Sequence, residues 1–381
     1  MNKVRFSLAV ILLAALSLST ASAKAPKPIE VQYPDDFSVS HISQPNDGCF
    51  ILTGVIGAPN DTSHMMLCVT DGQVLWLQKA EGADWYRGAE YLDKDTIVAL
   101  HSKGQTGKWT VQFIQQGKVI HQTKTLTGVS GIHCASGSLF TYGTPKSQSA
   151  RIEKFNAEGE SMWRIDWKEP LHFSGIVSLG NLHVAYGTNN IRDGSTRPNS
   201  VVLAFDEQGT ILWRHDSEAY EVYRDATWTD GHLVLVGHTI PPSRMENPDS
   251  NLDSAEYGFV TEYSEQGQVW RTDYVYTLPE EDFIVDNEIT SVVPVQNGYL
   301  VSQVAQYKVR LLLVDSDGNL VKEWAEDVDA VYNPLLTRLL QSNDKVYLVV
   351  SGDNGPVLGD FGDELPMPGK ITTIKEISIP E

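Results

Sequence analysis

Short segments that combine aromatic, arginine and carboxylate residues are the part of this sequence best suited to binding chemistry. An arginine beside an aromatic ring can stack on a ligand and pair with an anion, and such arginines stand out in a chain of net charge −20. The candidate ligand-binding residues are Trp85, Tyr86, Arg87, Phe173, Tyr223, Arg224, Asp225 and Glu288. These residue types favour an anionic or sugar-like ligand. The alternative is that the aromatic rings fill the interior and the arginines pair with Asp225 and Glu288.

Sequence motifs for catalysis are not found. The ten histidines show no metal-ligand spacing such as HExxH, and there is no GxSxG elbow or phosphate-binding loop. Two carboxylates that meet in space but not in sequence would leave no motif, so glycosidic chemistry stays open. Catalytic residues and metal ligands are therefore unknown at this stage, and no cofactor is expected.

Calcium is the one ion that an acidic pattern suggests. Carboxylates occur in two long insertions, at Glu246, Asp249, Asp253, Glu256, Asp353, Asp360, Asp363 and Glu364. Oxygen ligands suit calcium, but the spacing matches no calcium loop, and solvated acidic loops are the alternative. The segment DSDGN, from Asp315 to Asn319, lacks the later Glu ligand, and we interpret it as a hairpin turn.

A repeated hairpin must position these residues. The segment VVLAFDEQGTILWRHD at residues 201–216 contains a strand, a glycine turn and a strand ending in Trp, and related segments recur along the chain. The turn glycines, spaced 42 to 58 residues apart, are Gly72, Gly117, Gly159, Gly209, Gly267 and Gly318. Five copies carry the Trp, at Trp76, Trp163, Trp213, Trp270 and Trp324, while His121 takes its place in the second. A large flat ring there would cover the gap between neighbouring sheets.

A second motif, a short apolar strand upstream of each turn, occurs seven times, for example as FILTG at residues 50–54 and LVLVG at residues 233–237. Four antiparallel strands per unit, at a period near this length, are typical of a propeller blade. We predict an all-β, seven-bladed β-propeller in one domain, residues 24–381. Its units are residues 37–83, 84–127, 128–171, 172–219, 220–277, 278–330, and 331–381 with 28–33.

The last unit offers only three strands, so another segment must complete it. Residues 28–33, PIEVQY, belong to no unit of their own. We predict that they pair with the strand near residues 371–379 and close the ring, which leaves no exposed strand edge at the seam. A free N-terminal tail is the alternative.

The N-terminus and the charge suggest the location and exclude two partner classes. Residues 1–23 have two positive charges, an apolar core and Ala-Ser-Ala, the pattern of a cleaved signal peptide. Removing Lys3 and Arg5 lowers the net charge from −20 to −22, which disfavours nucleic acid and anionic membranes. No other apolar run is long enough to cross a bilayer. We expect a secreted or periplasmic monomer without membrane insertion.

Three cysteines do not form a disulfide framework, but export permits a bond. Cys49 opens the second strand of the first unit and Cys68 ends the third. They lie on neighbouring strands whose register the sequence does not fix, so a Cys49–Cys68 disulfide and two buried thiols are both open.

The recurring turn-and-Trp pattern, with turns such as DEQG and DSDG, resembles the bacterial quinoprotein-like (PQQ-like) and WD-repeat-like propellers over residues 37–379. The resemblance implies the fold. It implies no cofactor residues, because quinone-dependent dehydrogenases of this class have adjacent cysteines and none of the three here adjoins another. The WD signature is also absent.

Two functional hypotheses follow. In the first, the protein is a secreted binding or scaffolding propeller that recognises a protein or glycan on the face bearing the three longest insertions, residues 188–199, 239–257 and 353–370. In the second, it is a hydrolase or lyase acting at the mouth of the central channel. The eight candidate ligand-binding residues are expected to surround this mouth, on the same face as the long insertions. An acid/base pair in a deep cleft favours the second, and a flat wet face favours the first.

Overall fold

A computed structural model describes most of the chain beyond residue 28. The described residues are 29–31, 37–43, 48–56, 63–70, 73–104, 107–146, 149–189, 199–217, 221–229, 231–239, 256–276, 287–305, 308–326, 328, 333–342, 344–353 and 370–379. Their regular elements are all strands, arranged in seven antiparallel sheets. The predicted seven-bladed propeller is confirmed.

Each blade is a chain-ordered sheet whose first strand is innermost. The first four blades consist of β2 (Ser38–Ile42), β3 (Phe50–Ile56), β4 (Ser63–Thr70) and β5 (Gln73–Lys79); β6 (Trp85–Tyr91), β7 (Ile97–Ser102), β8 (Lys108–Gln115) and β9 (Lys118–Gln122), with short β10 (Leu126–Thr127) also on β8; β11 (Val129–Ala135), β12 (Ser138–Lys146), β13 (Ser149–Phe155) and β14 (Ser161–Trp167); and β15 (Leu171–Leu179), β16 (Leu182–Asn189), β17 (Asn199–Asp206) and β18 (Ile211–Asp216).

The remaining blades follow the same order, except that the last one takes its outer strand from the N-terminus. They consist of β19 (Glu221–Thr229), β20 (His232–Thr239), β21 (Tyr257–Ser264) and β22 (Gly267–Tyr274); β23 (Asn287–Val295), β24 (Gly298–Ala305), β25 (Lys308–Asp315) and β26 (Leu320–Glu326); and β27 (Asn333–Ser342), β28 (Lys345–Asp353), β29 (Lys370–Ile377) and β1 (Ile29–Val31).

The N-terminal strand pairs with the last blade where the sequence placed it. Ile29 lies opposite Ile374, and Val31 opposite Thr372, in an antiparallel ladder on β29. The rest of the PIEVQY segment, residues 28, 32 and 33, lies outside the described residues. This pairing supplies the fourth strand that the last unit lacks.

The repeated Trp and the repeated Gly turn belong to one packing device. A Cβ added to Gly117 would lie 3.2 Å from the Trp76 ring of the preceding blade, and one added to Gly209 would lie 2.9 Å from the Trp163 ring. Both glycines also have positive φ, at 73° and 81°, which favours glycine. Trp270 contacts Gly318 in the same way, so three of the Trp residues cover the turn glycine of the next blade, whereas Gly267 faces His215 instead.

Every inner strand has one bulge near its start. The pairing register shifts between Val39 and His41 in the first blade and between Tyr223 and Asp225 in the fifth, and equivalent shifts occur in the other five. A bulge places an extra residue outside the ladder and bends the strand. In six of the seven blades the residue before the bulge packs between sheets, and the residues after it approach the axis. This repeated geometry builds the channel.

Among the described residues, no helix is long and apolar enough to span a membrane.

Candidate ligand-binding site in the central channel

Three of the eight residues predicted for the channel mouth lie between the blades instead. Tyr86, Phe173 and Tyr223 are 3%, 2% and 1% exposed. Each directly precedes the bulge of its inner strand, the position that Val39 and Ile289 fill in other blades. Because this position packs into a blade core in six of the seven blades, these three aromatic residues contribute to packing and not to the mouth.

Four of the other predicted residues, Trp85, Arg87, Arg224 and Glu288, form two groups on the long-loop face. The Arg87 guanidinium lies 5.8 Å from the centre of the Trp109 ring, and Trp85 packs on the same ring at 4.9 Å. Arg224 donates to Glu288 at 2.9 Å. This ion pair agrees with the alternative to ligand binding, in which the arginines pair with Asp225 and Glu288.

Glu288 is held by more than its arginine. His238 Nδ1 lies 3.2 Å from its carboxylate. Burial acts to raise the pKa of Glu288, but the interactions with His238 and Arg224 outweigh burial and hold it below its usual value. The Glu288 carboxylate is therefore held by two neighbouring side chains on the long-loop face.

The three longest insertions contribute little to the described structure. Residues 190–198, 240–255 and 354–369 lie outside it, and so do the acidic candidates Glu246, Asp249, Asp253, Asp360, Asp363 and Glu364. Within the described ranges, no group of three or more His, Cys, Asp or Glu side chains is placed to hold a metal ion. In the DSDGN segment, Asp315 accepts from the N–H groups of Asp317 and Asn319, as expected of a hairpin turn.

Asp225, the eighth predicted residue, lines a cavity of about 620 Å³ in the channel. All seven blades contribute to this cavity, among them through His41, Glu90, His133, Asp225, Trp228 and Arg338. The contributing residues of the inner strands lie toward the strand ends. The cavity therefore occupies the half of the channel next to the short turns, away from the predicted long-loop face. Its size is typical of small-molecule sites.

An ion pair joins two of the lining blades. Arg338 Nη1 lies 3.1 Å from Asp225 Oδ1, and the Asp225 carboxylate raises the pKa of Arg338. The other carboxylate oxygen accepts from the Ser291 hydroxyl at 2.6 Å and from the Val292 N–H at 3.1 Å. The carboxylate is thereby fixed in place, while the fork of Arg338 presents further donors to the cavity.

A second carboxyl group in the cavity has a different environment. Glu90 accepts from the Cys134 N–H at 2.7 Å, and its oxygen lies 3.7 Å from His133 Nδ1. Burial raises the pKa of Glu90 to about 7, although Cys134 and Arg338 act to lower it. Burial also lowers the pKa of His133 to about 3. Near neutral pH Glu90 is thus divided between its protonated and ionised forms, beside a neutral imidazole.

Two tyrosine rings narrow the channel because the inner strands have glycine there. A Cβ on Gly131 would lie 2.2 Å from the Tyr142 hydroxyl, and one on Gly175 would lie 2.3 Å from the Tyr186 hydroxyl. The rings reach in from the second strands, and Tyr142 donates to the Ser174 carbonyl of the next blade at 3.3 Å. Larger residues at these glycines would displace both rings.

Two residues that line the cavity carry polar atoms with unused bonding capacity. The buried Nδ1 of His41 and Nε1 of Trp228 have no hydrogen-bond partner among the described residues. Burial, and next the charge of Arg338, lower the pKa of His41 to about 4, so its imidazole is neutral. Unpaired buried polar atoms are costly, and a bound polar molecule is one way to satisfy them.

Glu90, His133 and Arg338 were not predicted from the sequence. One signal was present for the last of these: Arg338 is the single charge within the apolar run PLLTRLLQ at residues 334–341. Aligning the seven inner strands on their bulges places such residues on the axis, but the bulges themselves have no sequence signature here. His133 and Glu90 could not be separated from ordinary strand residues.

The predicted cysteine pair is brought together in the first blade. The Sγ atoms of Cys49 and Cys68 lie 1.99 Å apart and their Cα atoms 6.0 Å apart. Cys68 pairs with Ile51 in the ladder, so Cys49 reaches it diagonally across the hairpin. Cys134 is the free cysteine, and burial followed by the charge of Glu90 raises the pKa of its thiol.

Comparisons with known proteins concern the fold. No protein-family model matches the chain, and no curated protein matches it. Solved propellers do match. Hydrazine synthase of Kuenenia stuttgartiensis is 13% identical with a TM-score of 0.59, covering 86% of this chain and 95% of its own. The polysaccharide lyase Uly1 is 11% identical with a TM-score of 0.57, covering 93% and 100%.

A third match is the WD40 propeller domain of Doa1, 10% identical with a TM-score of 0.53, covering 92% of this chain and 97% of the domain. At such identities the likeness shows a shared β-propeller architecture and no shared activity.

Proposed function

We propose that the protein is a binding propeller whose central cavity takes a small, hydroxyl-rich ligand such as a saccharide. The observation that carries the proposal is the cavity of about 620 Å³ that all seven blades line. It mixes donors on Arg338 with acceptors on Asp225 and Glu90, and it has an aromatic side chain, Trp228, on its wall. Fixed polar groups beside an aromatic surface suit a ligand with many hydroxyls and little charge.

The charge of the cavity supports a neutral ligand over a strongly anionic one. Arg338 is the one arginine among the lining residues, and it already pairs with Asp225. The surrounding protein is strongly acidic, which would repel an anion on approach. We therefore expect neutral or weakly acidic sugars to bind better than sulfated ones.

A glycan array of neutral, amino, uronic and sulfated oligosaccharides tests this proposal with the mature protein. For a glycan that binds, Arg338→Gln should weaken binding by at least about tenfold, equivalent to ~1.4 kcal/mol. Arg164→Gln, the same change at an exposed outer-strand arginine paired with Asp166, should have no effect. Thermal melting confirms that each variant is folded.

A third variant, Arg224→Gln, tests the location of the binding site. It removes the arginine paired with Glu288 on the long-loop face. Loss of binding in this variant, with Arg338→Gln unaffected, would place recognition on the long-loop face as first predicted. Absence of binding to every glycan would remove the saccharide proposal.

A hydrolase or lyase is the second candidate, and one observation favours it. Glu90 and Asp225 are two carboxyl groups in one cavity with contrasting environments, the first with a pKa raised to about 7 and the second tied to Arg338. Such a contrast is how enzymes separate an acid from a base. New reducing ends or unsaturated sugars after incubation with bound glycans, lost in Glu90→Gln, would support catalysis. Intact glycans would leave binding as the function.

We also propose that the protein is exported and acts outside the cytoplasm, as the signal-like pattern at residues 1–23 suggests. N-terminal sequencing of protein from fractionated cells should begin at Lys24 in the exported fraction. Protein that begins at Met1 and stays in the cytoplasm would contradict this.

A further inference from the structure

A chain of polar side chains leads from the central cavity into the interface between the third and fourth blades. Glu90 on β6 faces His133 on β11, whose Nε2 lies 2.9 Å from the Ser178 hydroxyl on β15. The same hydroxyl lies 2.7 Å from His183 Nδ1 on β16.

Beyond Ser178 the chain reaches the outer part of the interface. His183 Nε2 lies 2.9 Å from a carboxylate oxygen of Glu207, which also contacts Lys154. His183 is fully buried, whereas the Glu207 side chain is 17% exposed. The chain therefore connects the cavity with a partly solvated carboxylate.

When Glu90 is protonated, the hydrogen bonds between the side chains from Glu90 to Glu207 have one consistent arrangement. Burial acts to raise the pKa of Glu207, but hydrogen bonds from Lys154 and His183 outweigh it and keep the group ionised. Glu207 can then only accept, so His183 must donate from Nε2 and accept at Nδ1. Ser178 must therefore donate to His183 and accept from His133.

The same reasoning fixes the hydrogen positions on His133 and Glu90, at the cavity end of this series of side chains. His133 donates from Nε2 to Ser178, which leaves its Nδ1 as an acceptor facing Glu90. Only a protonated Glu90 can donate to that nitrogen. Both histidines are neutral in this arrangement, in agreement with the burial that lowers the pKa of each.

From these contacts we propose that Glu90 is the proton-exchanging group of the cavity and that His133, Ser178 and His183 pass its proton to Glu207. This inference rests on the proposed function for its purpose, because it gives the cavity a means to exchange one proton with its ligand. The relay itself is a property of the ligand-free protein.

The transfer balances with one proton. Glu90 gives its proton to His133 Nδ1, His133 gives the Nε2 proton to Ser178, Ser178 gives its hydroxyl proton to His183 Nδ1, and His183 gives the Nε2 proton to Glu207. Each intermediate group ends neutral with its hydrogen on the other side. The 3.7 Å between Glu90 and His133 exceeds a direct hydrogen bond, and a rotation of the carboxyl group or one bridging water closes it.

Other charged and titratable groups around Glu90 are part of its environment. Arg338 on β27 favours its ionised form. The Cys134 thiol on β11 and the hydroxyls of Tyr142 on β12 and Tyr186 on β16 interact with its charge. All three are neutral near pH 7 because burial raises their pKa values, so Arg338 and His133 are the groups that decide where the proton lies.

Histidine nitrogen NMR of the ligand-free mature protein tests the coupling. Two-bond proton–nitrogen spectra between about pH 5 and about pH 8 report which ring nitrogen carries hydrogen. His133 and His183 should both change from the Nε2–H form to the Nδ1–H form as Glu90 ionises, because the single Ser178 hydroxyl hydrogen can bond only one of the two rings. In Glu90→Gln, whose oxygen can keep the Cys134 bond, the amide donates to His133 and the change should disappear.

A rate measurement tests transfer along the chain. At the midpoint, exchange between the two His133 forms should slow by at least about tenfold in Ser178→Ala, equivalent to ~1.4 kcal/mol of barrier. Ser174→Ala, at an exposed serine of the same strand, should not slow it. One unchanging His133 form, a change that persists in Glu90→Gln, or equal rates in Ser178→Ala would overturn the relay. No ligand is used, so these outcomes are independent of whether a saccharide binds.

Discussion

At the scale of single residues, Glu90 makes stability depend on pH. Its pKa is raised from the ordinary 4.5 to about 7, so the folded state retains a proton that the unfolded state has lost. The stabilising contribution is complete below about pH 4.5 and is lost as the pH rises through about 7. Glu90 therefore destabilises the folded state only at a pH at which its carboxyl group is ionised.

Glu90→Gln should consequently be more stable than the wild type above about pH 7 and similar to it near pH 4.5. A rise of about 2.5 pKa units at ~1.4 kcal/mol each corresponds to a gain on the order of 3 kcal/mol. Urea unfolding of both proteins across this pH range measures it. Curves that stay parallel at every pH would show that Glu90 is not held protonated.

The cysteines give a second residue-scale prediction. Protein unfolded without reductant should show one titratable thiol, from Cys134, because Cys49 and Cys68 are bonded. The bond closes a loop with a sequence separation of 19 residues, for which chain entropy predicts about 3 kcal/mol of stabilisation. Three titratable thiols would exclude the bond, and unchanged melting of Cys49→Ser with Cys68→Ser would contradict its contribution.

At the scale of elements, the second blade tests the pairing of Trp with the turn glycine. A Cβ on Gly159 would lie 3.2 Å from the His121 ring, so His121 occupies the Trp position but is exposed. His121→Trp should raise the melting temperature, with a gain of about 1 kcal/mol from added ring contacts. Gln122→Trp, on the same strand, is the control. If the His121→Trp and Gln122→Trp variants melt at the same temperature, an indole ring at position 121 does not stabilise the junction between the blades.

The N-terminal strand is the other element-scale test. Its ladder on β29 covers Ile29–Val31, and each backbone hydrogen bond contributes roughly 0.5 to 1.5 kcal/mol. Deleting residues 24–34 should lower the melting temperature by several degrees and promote aggregation, relative to protein trimmed only to Ala25. If both proteins melt alike, the strand adds nothing to ring closure.

The repeats predicted the elements well and the site poorly, for a physical reason. Turn glycines and Trp residues are fixed by local backbone and by contacts between blades, so their spacing gives the repeat period, and the seven apolar second strands give the blade number. The channel is built from residues whose direction depends on the bulges in the inner strands. If the bulge between them is not known, Tyr223 and Asp225 are expected on the same face of the strand. A shift of one residue in the register turns every side chain to the other face.

At the scale of the whole molecule, ring closure and the cavity depend on each other. All seven blades contribute to the cavity wall, and the Asp225–Arg338 pair joins the fifth blade to the seventh. The predicted seam lies in that seventh blade, where β1 pairs with β29. Loosening the seam should therefore weaken ligand binding as well as stability, which connects closure with the proposed function.

A crystal structure with the tightest-binding oligosaccharide of the array would show directly where the ligand lies. We predict a sugar in the channel cavity, with hydroxyls bonded to Arg338 and Asp225 and a ring face near Trp228. Density confined to the long-loop face beside Arg224 and Glu288, with the cavity free of sugar, would contradict it.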